Sequence, residues 1–347
     1  MFKNEYLSDP DKRVQHDAVR NSVGWYLYTH QLMEVTGDDA AAFLDKIYVG
    51  GILNAKVGAA KYTTSLNEEG KIIDDVIVFR LEENKFWVST LYMEELEEWF
   101  DEKSAGFDVD YEDITEDVEM YAVQGPKSRD FLESILDESI AEQKFFTIAD
   151  NAAGGMPVRV SRTGYTGEMG FEVYIDRELA QQLEEKFALS EAAFDALKLT
   201  EFQIMVLTLP TEKGYVLMCD IGGLSPLEVG FDSFIDWDSD FIGKAAVEKV
   251  REEGAKRQLL GFTIENDEAH IASRHKGAAG EAVIFDGEEV GRVTKHTYGF
   301  TVGSGIGFAL VDKDKVGIGD TVYLNGSPAV LTERVFYDPE NNRPFGR

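Results

Sequence analysis

The chain has 347 residues, enough for two or three domains, and with 44% hydrophobic and 12% aromatic residues it can build packed cores rather than remain disordered. Its 65 acidic and 34 basic residues give a net charge of −31, which argues against nucleic-acid binding because neutralising phosphates needs a basic face. No apolar run approaches the ~20 residues of a membrane span, and the single cysteine, Cys219, excludes an internal disulfide framework or a cysteine-rich metal site.

The opening "MFKNEYLSDPDKRVQHD" is polar and has no signal-peptide core, so a cytoplasmic location is expected. Residues 62–80, "YTTSLNEEGKIIDDVIVFR", read as strand, turn and strand with "NEEG" as the turn. "ENKFWVSTLY" follows as a third strand. "MEELEEWFDEKSA" is then a helical pattern with Leu96, Trp99 and Phe100 on one face. "VEMYAVQG" is a strand that stops at Gly125-Pro126, and Pro126 opens the helix "PKSRDFLESIL".

Residues 161–175, "SRTGYTGEMGFEVYI", place Gly164, Gly167 and Gly170 at every third position and then switch to period two. This predicts a glycine-shaped turn feeding a strand, with Phe171, Val173 and Ile175 on one face and Glu172 and Tyr174 on the other. The helix "ELAQQLEEKFAL" comes next. Beyond about residue 255, short strands alternate with Gly, Asp and Asn turns, which predicts an all-β C-terminal domain. Antiparallel hairpins interleaved with helices before that point predict an α+β architecture rather than a doubly wound parallel sheet.

Several chemistries have no support. The five histidines include no pair spaced for a zinc peptidase helix, and no G-x-S-x-G or phosphate-binding P-loop occurs. "GSGIG", residues 303–307, has no following helix to supply a dipole end, so it reads as a close-packed glycine strand.

Two carboxylate positions carry more information. In "KIIDDVIVF", residues 71–79, alternation puts Asp75 on the face of Ile73 and Ile77 and Asp74 on that of Ile72 and Val76. The pair is either solvated at the strand entrance or holds a desolvated carboxylate in a dry cleft, where it meets a ligand's nitrogen or proton. Glu172 either pairs with Arg162 or a lysine on the sheet surface, or recognises an amidine-like edge such as that of a pterin ring.

"NEEGKIIDD", "SRTGYTGEMGFEVYI" and "EKGYVLMCDIGGLSPLEVGF…DFIGKAA" together closely resemble the aminomethyltransferase family, and "SVGWYLYTH", "GAAKYTTS", "YAVQGPKS" and "IGFALVDKDKVGIGD" extend the resemblance along nearly the whole chain. That family contains the T-protein of the glycine cleavage system and tetrahydrofolate-dependent demethylases. The resemblance implies a three-domain cloverleaf around a central folate channel. Two domains would be α+β, residues 1–50 with 118–190 and residues 51–117 with 191–254, and residues 255–347 would form a barrel or jelly-roll-like β domain. It further implies Asp75 as the catalytic carboxylate, Glu172 as the pterin holder, Tyr62 and Tyr165 as aromatic folate contacts, and His30 at a familiar position near the substrate. Arg162, with Lys61 and Lys295, is a candidate for the anionic folate tail.

The chain departs from the family pattern in three places. Pro210 replaces an arginine in the R-[LI]-E-K-G-Y-like stretch, "KHTYGF" (295–300) replaces a serine-rich segment, and Trp25, Tyr26 and Tyr28 make the "SVGWYLYTH" region more aromatic. Aromatic walls at Trp25 and Tyr28 suit a small onium or aryl substrate. The expected function is therefore a tetrahydrofolate-dependent demethylase that moves a methyl group from a small S-, O- or N-methylated substrate to N5 of tetrahydrofolate. The alternatives are a T-protein served by a lipoyl carrier protein, and a folate-binding protein without transfer chemistry.

Overall fold

Strands β1 (Val23–Leu27) and β2 (Gln31–Thr36) are neighbours in the chain but belong to different sheets. The computed structural model describes residues 2–347 except Thr29, Asp267, Glu268, Lys276 and Gly277, and of Phe2, Lys3 and Asn4 the backbone alone. Strands β3 (Ala60–Leu66), β4 (Ile72–Glu82) and β5 (Lys85–Thr90) form a meander that continues onto β2, with β6 (Asp110–Asp113) at the far edge. The "NEEG" turn closes as its residue types require. Asn67 Oδ1 accepts the backbone N–H groups of Glu69 (3.1 Å) and Lys71 (2.9 Å), and Gly70 takes a positive φ of 69°.

Strand β7 (Val118–Gln124) returns to β1 and begins the other sheet. With β8 (Ile148–Ala153), β9 (Met156–Ser161), β10 (Gly170–Asp176) and β11 (Ala196–Lys198) it gives the order β11-β1-β7-β10-β9-β8. Only the β1–β11 pairing is parallel in this six-stranded sheet. Strands β12 (Arg257–Ile264), β13 (Ala282–Phe285), β14 (Glu288–Gly299), β15 (Ser304–Asp312), β16 (Thr321–Leu324) and β17 (Ser327–Thr332) close into an antiparallel barrel when β17 pairs with β12. "GSGIG" runs into β15, and a Cβ on Gly307 would come within 2.2 Å of the Lys295 carbonyl oxygen, so this glycine is there for close strand packing.

The fold is thus α+β with a C-terminal β-barrel. Sheet membership departs from the domain limits expected at residues 50 and 190. Residues 31–36 join the five-stranded sheet, and 196–198 join the six-stranded one. Only three positions of sequence separate β1 from β2, and none of them is Gly or Pro.

Each sheet buries its outer face under helices. Phe171, Val173 and Ile175 pack with Phe131, Leu183 and Phe187 on one side of the molecule. Val76, Val78 and Phe86 pack with Phe43, Leu96 and Phe100 on the other. The inner faces meet through Leu32, Phe79, Trp87, Met120 and Tyr174. The barrel joins both sheets, through Tyr298 and Phe300 against Tyr26 and Val19, and through Phe308 and Leu310 against Phe231 and Val216. The two sheets, with segments 213–234 and 334–345, surround a central space. Among the described residues no helix is long and apolar enough to cross a membrane.

Candidate active site

The central space is a cavity of about 710 Å3, within the usual range for small-molecule sites. Strand alternation decides which side chains reach it. On β4, Asp75 and Ile77 face the cavity, while Asp74 faces the helix-covered side with Val76 and Val78. Asp75 sits opposite Thr64 in the register, so Tyr62, two residues earlier on β3, is its diagonal neighbour on the same face. The Tyr62 hydroxyl donates to Asp75 Oδ2 at 2.8 Å. The Tyr62 ring is itself held edge-on by Phe231 and Phe234, with centroids at 5.9 and 5.4 Å. No described residue bonds Asp75 Oδ1.

Asp74 is buried and committed to structure. Its Oδ2 accepts from the Thr90 hydroxyl at 2.7 Å, and its Oδ1 accepts the Asp75 backbone N–H at 2.9 Å. Burial, then the charge of Asp75, pushes Asp74 up to about 8. Burial likewise pushes Asp75 up to about 6. The Tyr62 hydroxyl moderates that rise and Asp220 adds to it. Two adjacent carboxylates in this setting resist full ionisation together.

The opposite wall comes from the six-stranded sheet. Glu172 points inward from β10 beside Tyr174, as period two requires. Its Oε2 accepts from the Thr163 hydroxyl at 2.5 Å and from the Tyr174 hydroxyl at 3.2 Å. Burial raises its pKa against those two donors. It makes no pair with Arg162 or with a lysine, and no described residue bonds its Oε1. The surface-paired alternative for Glu172 is therefore excluded, and of the two aspartates Asp74 is capped and buried while Asp75 is half-buried on the cavity wall.

The glycine turn serves a different contact from the one its spacing suggested. A Cβ on Gly164 or on Gly170 would lie 2.1 or 2.2 Å from Gln124 Oε1. The loop is wrapped around the Gln124 amide, which donates to the carbonyls of Thr163 (3.3 Å) and Phe171 (3.2 Å) and accepts from Thr166 (2.9 Å). Gly167, at φ +77°, packs on Lys213. The close approach is thus to protein side chains. Its effect is to fix Tyr165, which stacks on Tyr215 at 5.7 Å and bonds the Val216 carbonyl, with both rings lining the cavity.

The structure brings together Asp75, Glu172, Tyr62, Tyr165, Tyr28 and His30, and leaves Trp25, Arg162, Lys61 and Lys295 outside the lining. Trp25 faces the opposite side of β1, in the helix-covered core, where its indole N–H bonds Glu191 at 2.9 Å. Alternation along β1 forces this once Tyr26 turns inward, and Tyr26 itself packs with the barrel contacts rather than lining the cavity. Arg162 is occupied by the carbonyls of Gln143, Pro344 and Phe345 and so tethers the C-terminal segment. Lys61 lies outside the lining. Lys295 is paired with Asp220 at 3.0 Å. His30 is buried with Nε2 unpartnered, and burial pushes its pKa down to about 4, so it is neutral at physiological pH.

Sequence reasoning missed Tyr92, Phe145, Phe146, Arg334 and the segment 341–345, all at the cavity. Phe345 reaches the wall because Arg343 bonds Glu168 at 2.9 Å and Lys213 bonds Asp338 at 3.0 Å, which strap the C-terminus across the opening. A run such as "DPENNRPF" reads as a polar tail, and only tertiary contacts reveal the strap.

The geometry can now be set beside known proteins. Residues 2–239 match the GCVT N-terminal domain model, and residues 257–338 match the glycine cleavage T-protein C-terminal barrel domain model. The chain belongs to the GCV_T family. The aminomethyltransferase of Thermoanaerobacter sp. strain X514 is 32% identical over 340 residues, covering 93% of this chain and 88% of the relative. That of Bacillus cereus strain G9842 is 34% identical over 314 residues, covering 86% and 81%. A crystal structure of glycine cleavage system aminomethyltransferase T from Bartonella henselae superposes with a TM-score of 0.82 over 93% of this chain and 89% of that one, at 21% identity, and so shares the fold. This GCV_T chain is accordingly an aminomethyltransferase-family enzyme, one of the folate-dependent transferases.

The GCV_T departure at Pro210 also has a local account. Residues Ile204–Thr208 form a wide π-turn that runs into the short helix Leu209–Lys213, where proline occupies the first turn and needs no donor. Position 210 is buried and presents no charge. The arginine that touches this helix is instead Arg20, which bonds Glu212 at 2.8 Å.

Proposed function

We propose that this protein is a tetrahydrofolate-dependent one-carbon transferase acting as a demethylase on a small methylated substrate. The observation that carries the reading is the pair of carboxylates, half-buried Asp75 and buried Glu172, on the walls of one cavity, each with one oxygen that no described residue bonds. A flat ring with a donor edge fits that chemistry. Glu172 would accept the pterin edge, with Thr163 and Tyr174 fixing the carboxylate plane. Tetrahydrofolate, when bound, supplies N5 as the nucleophile that receives the carbon.

Asp75 is the proton acceptor in this scheme. It takes the proton that N5 gives up as its bond to carbon forms, while the donor's heteroatom keeps the electron pair of the bond that breaks. Tyr62 holds Asp75 in one rotamer, and the closed walls exclude water that would compete for the carbon. The aromatic character expected from Trp25 is supplied instead by Tyr28, Tyr92, Phe145, Phe146 and Phe345, whose faces suit a sulfonium, an ammonium or an aryl ring.

One observation favours a second reading. Relatives at 32–34% identity are named aminomethyltransferase, which would make the donor an aminomethyl group on a lipoyl carrier protein. Product analysis separates the two. The purified protein is incubated with tetrahydrofolate and a panel of methylated sulfonium, betaine and methoxyaryl compounds, and in parallel with an aminomethyl-loaded lipoyl carrier. Mass spectrometry showing 5-methyl-tetrahydrofolate establishes a demethylase. Methylene-tetrahydrofolate and ammonia formed only with the carrier would replace that reading with aminomethyl transfer.

A further inference from the structure

The acidic chain places one notable cation on the cavity wall. Arg334 follows β17, and among the described residues its guanidinium has a single acceptor, the Val229 carbonyl, 2.7 Å from Nη1. Its Nε is buried without a partner, and no carboxylate of a described residue lies within ion-pair distance. The other cation on the wall, Lys213, is neutralised by Asp338 at 3.0 Å. Asp220, whose charge also reaches Arg334, is already paired with Lys295. A guanidinium offers five donors, so half-buried Arg334 keeps its buried Nε and its Nη2 for oxygens that a ligand entering the cavity would supply.

The position of this arginine within the cavity is specific. Its Cζ lies 5.8 Å from the centroid of the Phe231 ring, and Phe231 is the edge partner of Tyr62, which bonds Asp75. Arg334 therefore belongs to the Asp75 end of the cavity, whereas Glu172 lies on the other sheet. An anion bound there sits beside the reacting carbon rather than along the pterin edge.

We propose that Arg334 seats a ligand carboxylate at the Asp75 end of the cavity, so that the one-carbon donor is an anionic or zwitterionic methylated acid. The assignment rests on the reading of the cavity as a one-carbon transfer site. The fork of the guanidinium would take both carboxylate oxygens, which orients the donor as well as holding it. A chain of net charge −31 repels anions at long range, and a single half-buried arginine is the local remedy. The folate glutamate tail presents the same carboxylate chemistry, and the test distinguishes the two sources.

Calorimetry on the wild type, Arg334→Gln and Arg334→Lys would compare matched pairs: a sulfonium, a trimethylammonium and a methoxyaryl acid, each against its carboxamide. It would also compare tetrahydrofolate with tail-less tetrahydropteroate. The wild type should favour at least one acid over its amide by about tenfold to a hundredfold, the range of a charge-assisted pair. Arg334→Gln should erase that preference, and Arg334→Lys should keep part of it with an unchanged melting temperature. Loss of discrimination between tetrahydrofolate and tetrahydropteroate instead would assign the seat to the folate tail. A wild type that distinguishes no carboxylate, or an Arg334→Gln variant that still does, would overturn the seat. A wild type that binds acids but no folate would overturn the transfer reading and leave the seat standing.

Discussion

Two clusters of inward-facing carboxylates in this protein have opposite electrostatics. At the junction of the N-terminal helix, the glycine loop and the barrel, Glu212 accepts from Arg20 at 2.8 Å, from His16 at 3.1 Å and from the Thr301 backbone N–H at 2.8 Å. Burial alone would raise its pKa, but His16 and Arg20 bring it down to about 2. In the cavity, Asp75 and Glu172 are enclosed with hydroxyl donors and no ion-pair partner, and both are raised. The lesson is that burial does not decide the state of a carboxylate. Its partners do. A cluster whose charges are all satisfied holds bodies together, and a carboxylate with one oxygen unclaimed is reserved for a ligand.

The contrast is broken most severely at Asp75. Asp75→Asn keeps the shape and removes the proton acceptor. Transfer should fall about a thousandfold, within the usual range for a lost general base, while tetrahydrofolate affinity changes less than about threefold. Single-turnover rates and equilibrium binding on one preparation check both halves. Near-normal turnover would remove Asp75 from the chemistry.

The partnered cluster should respond in stability instead. Glu212→Gln leaves Arg20 with Glu168 alone and His16 without its buried anion. The expected loss is about 3 kcal/mol, the lower range for breaking a buried pair, read as a shift of the urea midpoint. Turnover per folded molecule should stay within severalfold of wild type. A variant with unchanged stability but lost turnover would move this cluster into the active site.

Glu172 lies between these two extremes. Glu172→Gln should weaken tetrahydrofolate by about tenfold to a hundredfold, because an amide presents one acceptor and one donor where the ligand edge offers two donors. Turnover at saturating folate should be nearly unchanged. The same loss in turnover as in KM would mean that Glu172 also acts on the reacting atoms.

The sequence made some of these positions legible and hid others for identifiable reasons. Glu172 lies in a strand whose other face is apolar, so alternation assigns it inward, whereas the run around Asp74 and Asp75 is apolar on both faces and alternation only separates the two carboxylates, leaving the family resemblance to pick Asp75. Tyr62 follows from the hairpin, since the "NEEG" turn fixes the register that sets it diagonal to Asp75. Trp25 was misread because aromatic content was counted along β1 without separating its two faces. Arg162 looked available, but its acceptors are carbonyls of residues 344 and 345, almost two hundred positions away. Phe345 is set by the long-range strap and Arg334 by the Val229 carbonyl, neither of which local pattern can report. The glycine spacing predicts the turn but not the Gln124 side chain it wraps, which comes from a strand forty residues earlier.

The smallest effect is the one that tests the comparison by pH. A carboxyl raised in the folded state binds its proton more tightly there than in the unfolded chain. Stability is therefore gained as pH falls from about 6, the folded value for Asp75, through the ordinary aspartate range, and the penalty is fully present above about 6. Glu212 has the opposite sign. Its contribution is complete above the ordinary glutamate value and is lost as pH falls from there toward about 2. The Asp75 and Glu212 windows barely overlap, and comparison of Asp75→Asn with the wild type separates Asp75 from Asp74, whose own window reaches up to about 8. Asp75→Asn should stabilise the protein by roughly 1–3 kcal/mol at pH 8, with the gain shrinking to nothing below about pH 4. Transfer by the wild type should rise with pH through about 6, as Asp75 ionises, over the interval in which its stability falls. Opposite slopes of activity and stability in one pH window are what an active-site carboxylate kept without a counter-ion must produce. If the stability of Asp75→Asn tracked that of the wild type from pH 4 to 8, Asp75 would be solvated, and the dry-cavity mechanism would lose its physical basis.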